Sequence, residues 1–365
     1  MKIPFLDLRV TDKFEFDSII SSISKVLKHG QMVMGPEIQI FENEISKYCS
    51  RKFCVSVGSG TDALYLSLRA LDIGIGDEVI TTSLSWIATA NAIALTGAKP
   101  IFADISDDLN ISPISVESLI TKNTKAILVV NYTGKVADMD QLEAIAKKNN
   151  IHLIEDGSQS FGAKYKDKPS GSFGILSAIS HNPMKVFGAI GEAGSILCDD
   201  VNLYNRLVSL RYNGTINRET CIEPSLNGRM DTVQAAILIE KLGTLQNIIE
   251  KRQNNANYYN KHLSNMVIKP VQKIYENDTY YTYTIKYEKR NELKKFLENN
   301  GVETKIQHLL LMPEQPAYKD NAIGDFKNAK KIVKNVLCIP IYEKLTETEL
   351  QHICNLINSF VDQNN

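Results

Sequence analysis

Phe53-Cys54-Val55-Ser56-Val57-Gly58-Ser59-Gly60-Thr61-Asp62-Ala63-Leu64 is the stretch from which the fold can be read. Five strand-forming residues run into a short Gly/Ser turn, and a helix-like segment from Asp62 to Leu71 follows. The same alternation recurs outward from it. Strand-like runs stand at Glu78 to Thr81, Lys99 to Ala103, Lys125 to Val130 and His152 to Glu155, with a helix-like segment from Asp140 to Asn149 between the last two. Strand, helix, strand at this spacing reads as βαβ units, hence an α/β unit with a mostly parallel sheet covered on both faces. Ligands of such sheets sit beyond the carboxyl ends of the strands, so the residues just after each run are the first candidates for chemistry.

At roughly 150 residues per domain, 365 residues suggest two structural units. Met230, Val233, Ile237 and Leu238 fall near helical spacing and suggest a connecting helix. Beyond it, Tyr280 to Ile285 reads as a tyrosine-rich strand, accompanied by helices over Asn291 to Asn300 and Thr346 to Phe360. Residues 1-250, with the N-terminal segment, are expected to form the large unit and residues 251-365 a smaller α+β unit. The charge balance, 41 Lys+Arg against 42 Asp+Glu, argues against a nucleic-acid partner held by phosphate neutralisation. No apolar run approaches the ~18 residues of a membrane span, and Met1 to Asp7 lacks a signal-peptide core. Six cysteines without a C-x-x-C pair and six dispersed histidines offer no metal site, and suggest reduced thiols in the cytoplasm.

The densest constellation lies at 155–194. Glu155-Asp156 ends an apolar strand, Gly157-Ser158-Gln159-Ser160 follows, and Lys185 stands on an irregular segment after a further run, Ile175 to Ile179. Pro183 before Lys185, and Gly188 with Gly191-Glu192-Ala193-Gly194 after it, keep that segment out of regular structure. A lysine amine there can form a Schiff base with pyridoxal phosphate, provided a carboxylate keeps the pyridine nitrogen protonated. Asp156 at a strand end suits that second role; read alone, it could equally cap a helix or close a turn. Gly58 to Asp62 has the geometry for a phosphate at a helix N-terminus, though such turns also carry Ser and Gly simply for capping. It is neither a Walker A loop nor a G-x-G-x-x-G fingerprint. Trp86, the single tryptophan, follows another strand and is placed to stack on a flat ring or to fill the core.

Together these segments resemble the DegT/StrS-type nucleotide-sugar aminotransferases, pyridoxal phosphate enzymes of fold-type I. Ile3 to Leu8, Met34-Gly35-Pro36-Glu37, Gly58 to Leu64 and Gly76 to Ile80 carry the likeness over the first part of the chain. Glu155 to Ala163, Lys185, Gly191 to Gly194 and Leu226-Asn227-Gly228-Arg229-Met230-Asp231 carry it onward. The resemblance implies that Lys185 binds the cofactor covalently and shuttles protons, that Asp156 pairs with the ring nitrogen and that Gln159 contacts the ring near its 3-hydroxyl. It implies further that Trp86 stacks on the opposite face and that Gly60, Thr61 and Ser180 hold the phosphate. Asn227 would reach that phosphate from a neighbouring subunit, implying a homodimer with shared sites, and Arg229 and His308 would contact substrate from that second subunit.

Three positions depart from the pattern. His181 stands where relatives usually carry an aromatic such as phenylalanine, and Ala193 where a second glycine is common. Gln307 to Leu311 lacks the aromatic-proline step usual after the histidine. The reaction implied moves an amino group from L-glutamate (glutamine being the second choice) to a keto group of a nucleotide-diphosphate-linked sugar, with pyridoxamine phosphate as the intermediate form of the cofactor. Lys28 to Gln31 and Gly35 to Glu37 favour C-3, while Ser85 to Thr89 and Asn131 to Gly134 lean toward C-4. The product is expected to serve a surface polysaccharide, O-antigen or glycan. A same-fold enzyme acting on a cyclitol, or as a sugar dehydratase or lyase, is the alternative. A non-catalytic regulator would more readily have lost Lys185 or Asp156.

Overall fold

The computed structural model describes residues 1–319 and 324–364; residues 320–323 and 365, in the expected second unit, lie outside the described residues. Seven strands build the central sheet: β1 (Phe53–Val57), β2 (Glu78–Thr82), β3 (Lys99–Ala103), β4 (Thr124–Val130), β5 (His152–Asp156), β6 (Leu176–Ser180) and β7 (Gly194–Cys198). Their order across the sheet is β1-β7-β6-β5-β4-β2-β3. β3, β2, β4, β5 and β6 pair in parallel, whereas β7 runs antiparallel to both β6 and β1. The sheet is therefore mainly parallel, as the alternation requires. β7 has no counterpart among the strands read from the sequence. Its glycine-rich approach hides it, and it is held by pairing on both sides.

β4 shows why both faces are covered. Ala126, Leu128 and Val130 pack with Leu64 and Leu68 of helix α3 (labelled here with α1, Lys13–His29, and α2, Pro36–Tyr48, before it; α3 is Gly60–Ala70). Ile127 and Val129 point the other way, into a cluster with Met139, Leu142 and Ile145 of the helix Met139–Asn149. This is the period-2 alternation of a strand read on two apolar faces, each fully buried aliphatic side chain contributing roughly 1.5–3 kcal/mol. Buried Glu42 of α2 accepts from the Ser56 backbone N–H and hydroxyl of β1 at 2.8 and 2.7 Å and pairs with Arg211. That contact fixes the strand that precedes the Gly58 turn.

The connecting helix read near residue 233 is two helices, Thr232–Leu242 and Leu245–His262, separated at Gly243 and Thr244. The second runs through residue 250. A separate core beyond it gathers Tyr259, Tyr283, Ile285, Leu293, Leu297, Leu337, Ile339, Ile353 and Ile357. The first residues, read above with the large unit, contribute Ile3 to this core, and Ile3 bridges Val302. The expected strand over Tyr280 to Ile285 is shorter: only Tyr283–Lys286 pairs, antiparallel with Val336–Ile339. Tyr280 takes a left-handed φ of 50°, and the backbone N–H groups of Thr279 and Thr282 instead donate to the Gly134 and Thr133 carbonyls at 3.0 and 3.2 Å. Docking on the large unit wins over strand propensity there.

Candidate active site

At the carboxyl end of β5, Asp156 is 5% exposed and its Oδ1 accepts from the Ser158 N–H at 3.0 Å. Burial raises the carboxyl above its ordinary value, opposed by the Ser158 hydrogen bonds and the charge of Lys185. Glu155, one residue earlier, faces the opposite side and is consumed structurally. It accepts from the Asn131 amide at 2.7 Å, the Ser170 hydroxyl at 3.0 Å, and the Gly171 and Phe173 N–H groups at 3.0 and 3.1 Å. The buried pair thus divides, one carboxylate anchoring a loop and the other free toward the site.

β6 runs parallel beside β5 and ends at Ser180, whose N–H donates to Ser158 Oγ at 3.0 Å. The chain then turns, and the Lys185 N–H closes onto the Asn182 carbonyl at 2.8 Å. The loop is not free: Asn182 donates to Glu192 at 2.6 Å, and a Cβ on Gly188 would meet the Asn182 and Pro183 carbonyls at 2.8 Å. Lys185 Nζ lies 4.7 Å from the centroid of the Tyr281 ring. Tyr281 is a site residue that the sequence reading missed, because Tyr280 to Ile285 looks like one strand and only its docking on Thr133 and Gly134 turns that ring under Lys185. The same docking serves Gln159, which is 5% exposed and whose Oε1 accepts from the Thr133 N–H at 3.0 Å. Its amide nitrogen is left as a donor.

The start of helix α3 is where an anion cradle is expected. Ser59 Oγ caps the helix by accepting from Asp62 N at 3.0 Å, while the N–H groups of Gly60 and Thr61, the first two of the helix, lie beyond intrahelical reach. Gly60 packs against Ser180 so closely that a Cβ would stand 2.5 Å from Ser180 Cβ. The fold therefore sets Ser180 against Gly60, next to Thr61, although 120 residues separate Gly60 from Ser180.

Trp86 is 63% exposed, so it does not fill the core. Its ring stands 6.1 Å from that of His308, which is also 5.9 Å from Tyr132. The expectation that His308 comes from a second subunit is corrected by this geometry. Met312 N–H donates to the Ser83 carbonyl at 2.9 Å and ties the segment after His308 to the loop that carries Trp86 in the same chain. Burial, with Lys305 and Lys185 nearby, pushes the imidazole down to about 4, so it is neutral at neutral pH, and its Nε2 is buried without a partner among the described residues. Asn227 is exposed and Arg229 half-buried. Arg229 Nε donates to Asn227 Oδ1 at 2.7 Å, and its guanidinium lies 4.5 Å from the Tyr212 ring centroid. Gly228 between them accepts from the Gly58 N–H at 2.8 Å, which sets the pair beside the cradle turn of their own chain. Among the described residues there is no group of three or more His, Cys, Asp or Glu side chains that could hold a metal.

The donor set fits a flat, phosphorylated pyridine: an amine, a buried carboxylate, two free helix N–H groups and an exposed indole, all at strand ends. Comparison with known proteins agrees with it. The UDP-2-acetamido-2-deoxy-3-oxo-D-glucuronate aminotransferase of Pseudomonas aeruginosa is 35% identical over 358 residues, covering 96% of this chain and 98% of that protein. The dTDP-3-amino-3,6-dideoxy-alpha-D-galactopyranose transaminase of Aneurinibacillus thermoaerophilus is 34% identical, covering 98% and 99%. The crystal structure of NtdA from Bacillus subtilis, with bound cofactor PMP, superposes with a TM-score of 0.94 at 30% identity, covering 99% of this chain and 86% of that one. Residues 15–358 match the sequence pattern of one family over nearly the whole fold, and the chain belongs to the DegT/DnrJ/EryC1/StrS aminotransferase family.

Proposed function

We propose that the chain is a pyridoxal phosphate-dependent aminotransferase that moves the amino group of L-glutamate to a keto group of a nucleotide-diphosphate-linked sugar. The observation that carries this reading is the meeting of Lys185, Asp156 and the Gly60–Thr61 helix start at one end of the sheet. When bound there, pyridoxal phosphate supplies an electron-withdrawing ring that stabilises charge on the carbon that gains or loses a proton. The protein's own groups do the rest. Lys185 provides the amine that holds the group and moves the proton, as acid in one half-reaction and base in the other. Asp156, in a buried setting, holds the proton on the ring nitrogen. Gln159 would offer its amide nitrogen to the ring oxygen, and Gly60, Thr61 and the Ser180 hydroxyl would hold the phosphate. Trp86 would cover one face of the ring, and the neutral imidazole of His308 beside it would be available to a sugar hydroxyl.

C-3 is favoured as the position aminated. The Pseudomonas relative is named for a 3-oxo sugar and the Aneurinibacillus one for a 3-amino sugar, which supports that choice over C-4. The product would serve a surface polysaccharide, O-antigen or glycan. A homodimer with shared sites completes the reading, Asn227 reaching the phosphate of the other subunit and Arg229 its substrate. Exposed Phe16, Ile20 and Leu27, with half-buried Ile23, line one face of α1 at helical spacing and support a second copy there. A division near residue 250 into a large cofactor-binding unit and a small C-terminal one is supported by the separate core that starts at Ala256 and Tyr259, with Ile3 of the N-terminal segment joining the small unit. A cytoplasmic location is supported by six unpaired cysteines; among the described residues no helix is long and apolar enough to cross a membrane.

The test is acceptor-dependent recovery. Protein bleached by L-glutamate should regain its colour on addition of a nucleotide-linked 3-keto sugar. Recovery with a 4-keto sugar alone would move the position to C-4, and recovery with neither would exclude this acceptor class.

A further inference from the structure

A second cleft, of about 740 Å³, opens between the loop at 106–114, the turn at 133–138, the segment 268–286 and the helix Lys327–Val333. Lys185, Asp156, Trp86, Ser180 and His308 do not line it. Its size is that of small-molecule sites. Asp278 lines it while only 5% exposed. The Oδ1 of Asp278 has no hydrogen-bond partner among the described residues, and its Oδ2 stands 3.9 Å from Lys135 Nζ. That ammonium is committed elsewhere, to Glu276 at 2.5 Å and the Val271 carbonyl at 2.8 Å. Glu276 also stands 3.8 Å from Lys273 Nζ, so both nearby ammonium groups are engaged by Glu276 and Asp278 Oδ1 is left without a donor of its own among the described residues. A buried carboxylate oxygen left unpaired is costly, and a charged donor is its strongest partner. Burial pushes the Asp278 carboxyl up to about 7, Lys135 opposing and Glu276 and Asp108 adding to the rise.

The rest of the lining suits oxygen-bearing groups. The Thr282 and Thr284 hydroxyls lie 3.2 Å apart in the cleft wall. Lys286 spends one N–H on the Asp107 carbonyl at 2.6 Å and forms no ion pair among the described residues. We propose that this cleft is a second ligand site, for a small polar molecule carrying a primary ammonium group, with Asp278 as counter-ion and Thr282, Thr284 and Lys286 as partners for its oxygen atoms. A metal ion is disfavoured, because the described residues offer no cluster of three ligating side chains. Amino acids and amino sugars share the ammonium chemistry. The site shares a wall with the catalytic one: Thr279 and Thr282 hold the Thr133–Gly134 turn that positions Gln159, and Tyr281 between them carries its ring under Lys185. The proposal does not depend on the reaction assigned above.

Calorimetric titration tests it, using protein treated with borohydride so that amines cannot react at Lys185. The probes are ethylammonium, D-glucosamine and L-alanine. Saturable binding is expected, weakened at least tenfold in Asp278→Asn, where the charge-assisted bond is lost. Tighter D-glucosamine would assign the site to amino sugars, tighter L-alanine to amino acids. Ile268→Trp fills the cleft from its exposed rim without touching a buried polar group, and should block the same binding. Absence of saturable binding with all three probes would overturn the proposal, the oxygen then being served by solvent. So would equal binding by Asp278→Asn or, should that variant not fold, by Ile268→Trp.

Discussion

His181 is fully buried, with its ring edge-on to Phe41, Phe161 and Phe187 at 5.5, 5.7 and 5.2 Å. Its Nε2 meets Ser195 Oγ at 2.9 Å. The position is an aromatic packing site occupied by an imidazole, which explains why the departure leaves Lys185 four residues on undisturbed. Burial pushes this imidazole down to about 3 from an ordinary 6.5. Below pH 6.5 the unfolded chain takes up a proton that the native state refuses, so stability is full above 6.5 and falls as pH drops toward 3. Between pH 7 and 5 this residue alone should cost the wild type about 2 kcal/mol. His181→Phe should lose about 1 kcal/mol at pH 7 for the unpaired Ser195 hydroxyl, yet show a shallower decline on acidification, measured by urea unfolding at both pH values. Parallel pH profiles would contradict this. At this scale residue type and place singled out Lys185 and Asp156 in the sequence, and the fold brings the charge of Lys185 to bear on buried Asp156. Tyr281 and the partners of His308 were illegible, because tertiary docking alone brings them in.

Gly60 joins two elements at their closest approach, the first turn of α3 and the end of β6. Alanine is the better helix former by about 1 kcal/mol, so propensity alone would welcome a Gly60→Ala exchange. The space does not: the new Cβ would fall 2.5 Å from Ser180 Cβ and 3.0 Å from its hydroxyl oxygen. The helix start must then shift away from the strand, and the N–H pair at Gly60 and Thr61 loses its aim. Gly60→Ala should retain pyridoxal phosphate at least tenfold less tightly, read as colour surviving dialysis, a loss of roughly 1.4 kcal/mol or more. Wild-type retention would show that the cradle lies elsewhere. The strand-turn-helix at Phe53 to Leu71 was legible because apolar alternation, Gly/Ser turn and cap agree. β7 and the break at Gly243 were not, since antiparallel pairing and the meeting of two helices are decided by neighbours remote in sequence.

For the molecule as a whole, the shared-site reading makes a quantitative demand. Lys185→Ala and Asn227→Ala chains, each inactive alone, should form mixed dimers in which one of the two sites is intact. After random exchange of equal amounts, about a quarter of wild-type activity should return, following from half the dimers being mixed. No recovery despite verified exchange would confine Asn227 to its own chain's site or to none. His308 already marks a limit of the sequence reading at this scale, because assigning a residue to one subunit or the other needs the path of the chain. The central claim rests on Lys185 facing a bound pyridoxal phosphate, and the visible spectrum of the purified protein before and after L-glutamate tests it most directly. The expected result is a yellow protein that bleaches with L-glutamate, the colour being absent from Lys185→Ala. No visible band after incubation with pyridoxal phosphate, or an equal band in Lys185→Ala, would contradict it.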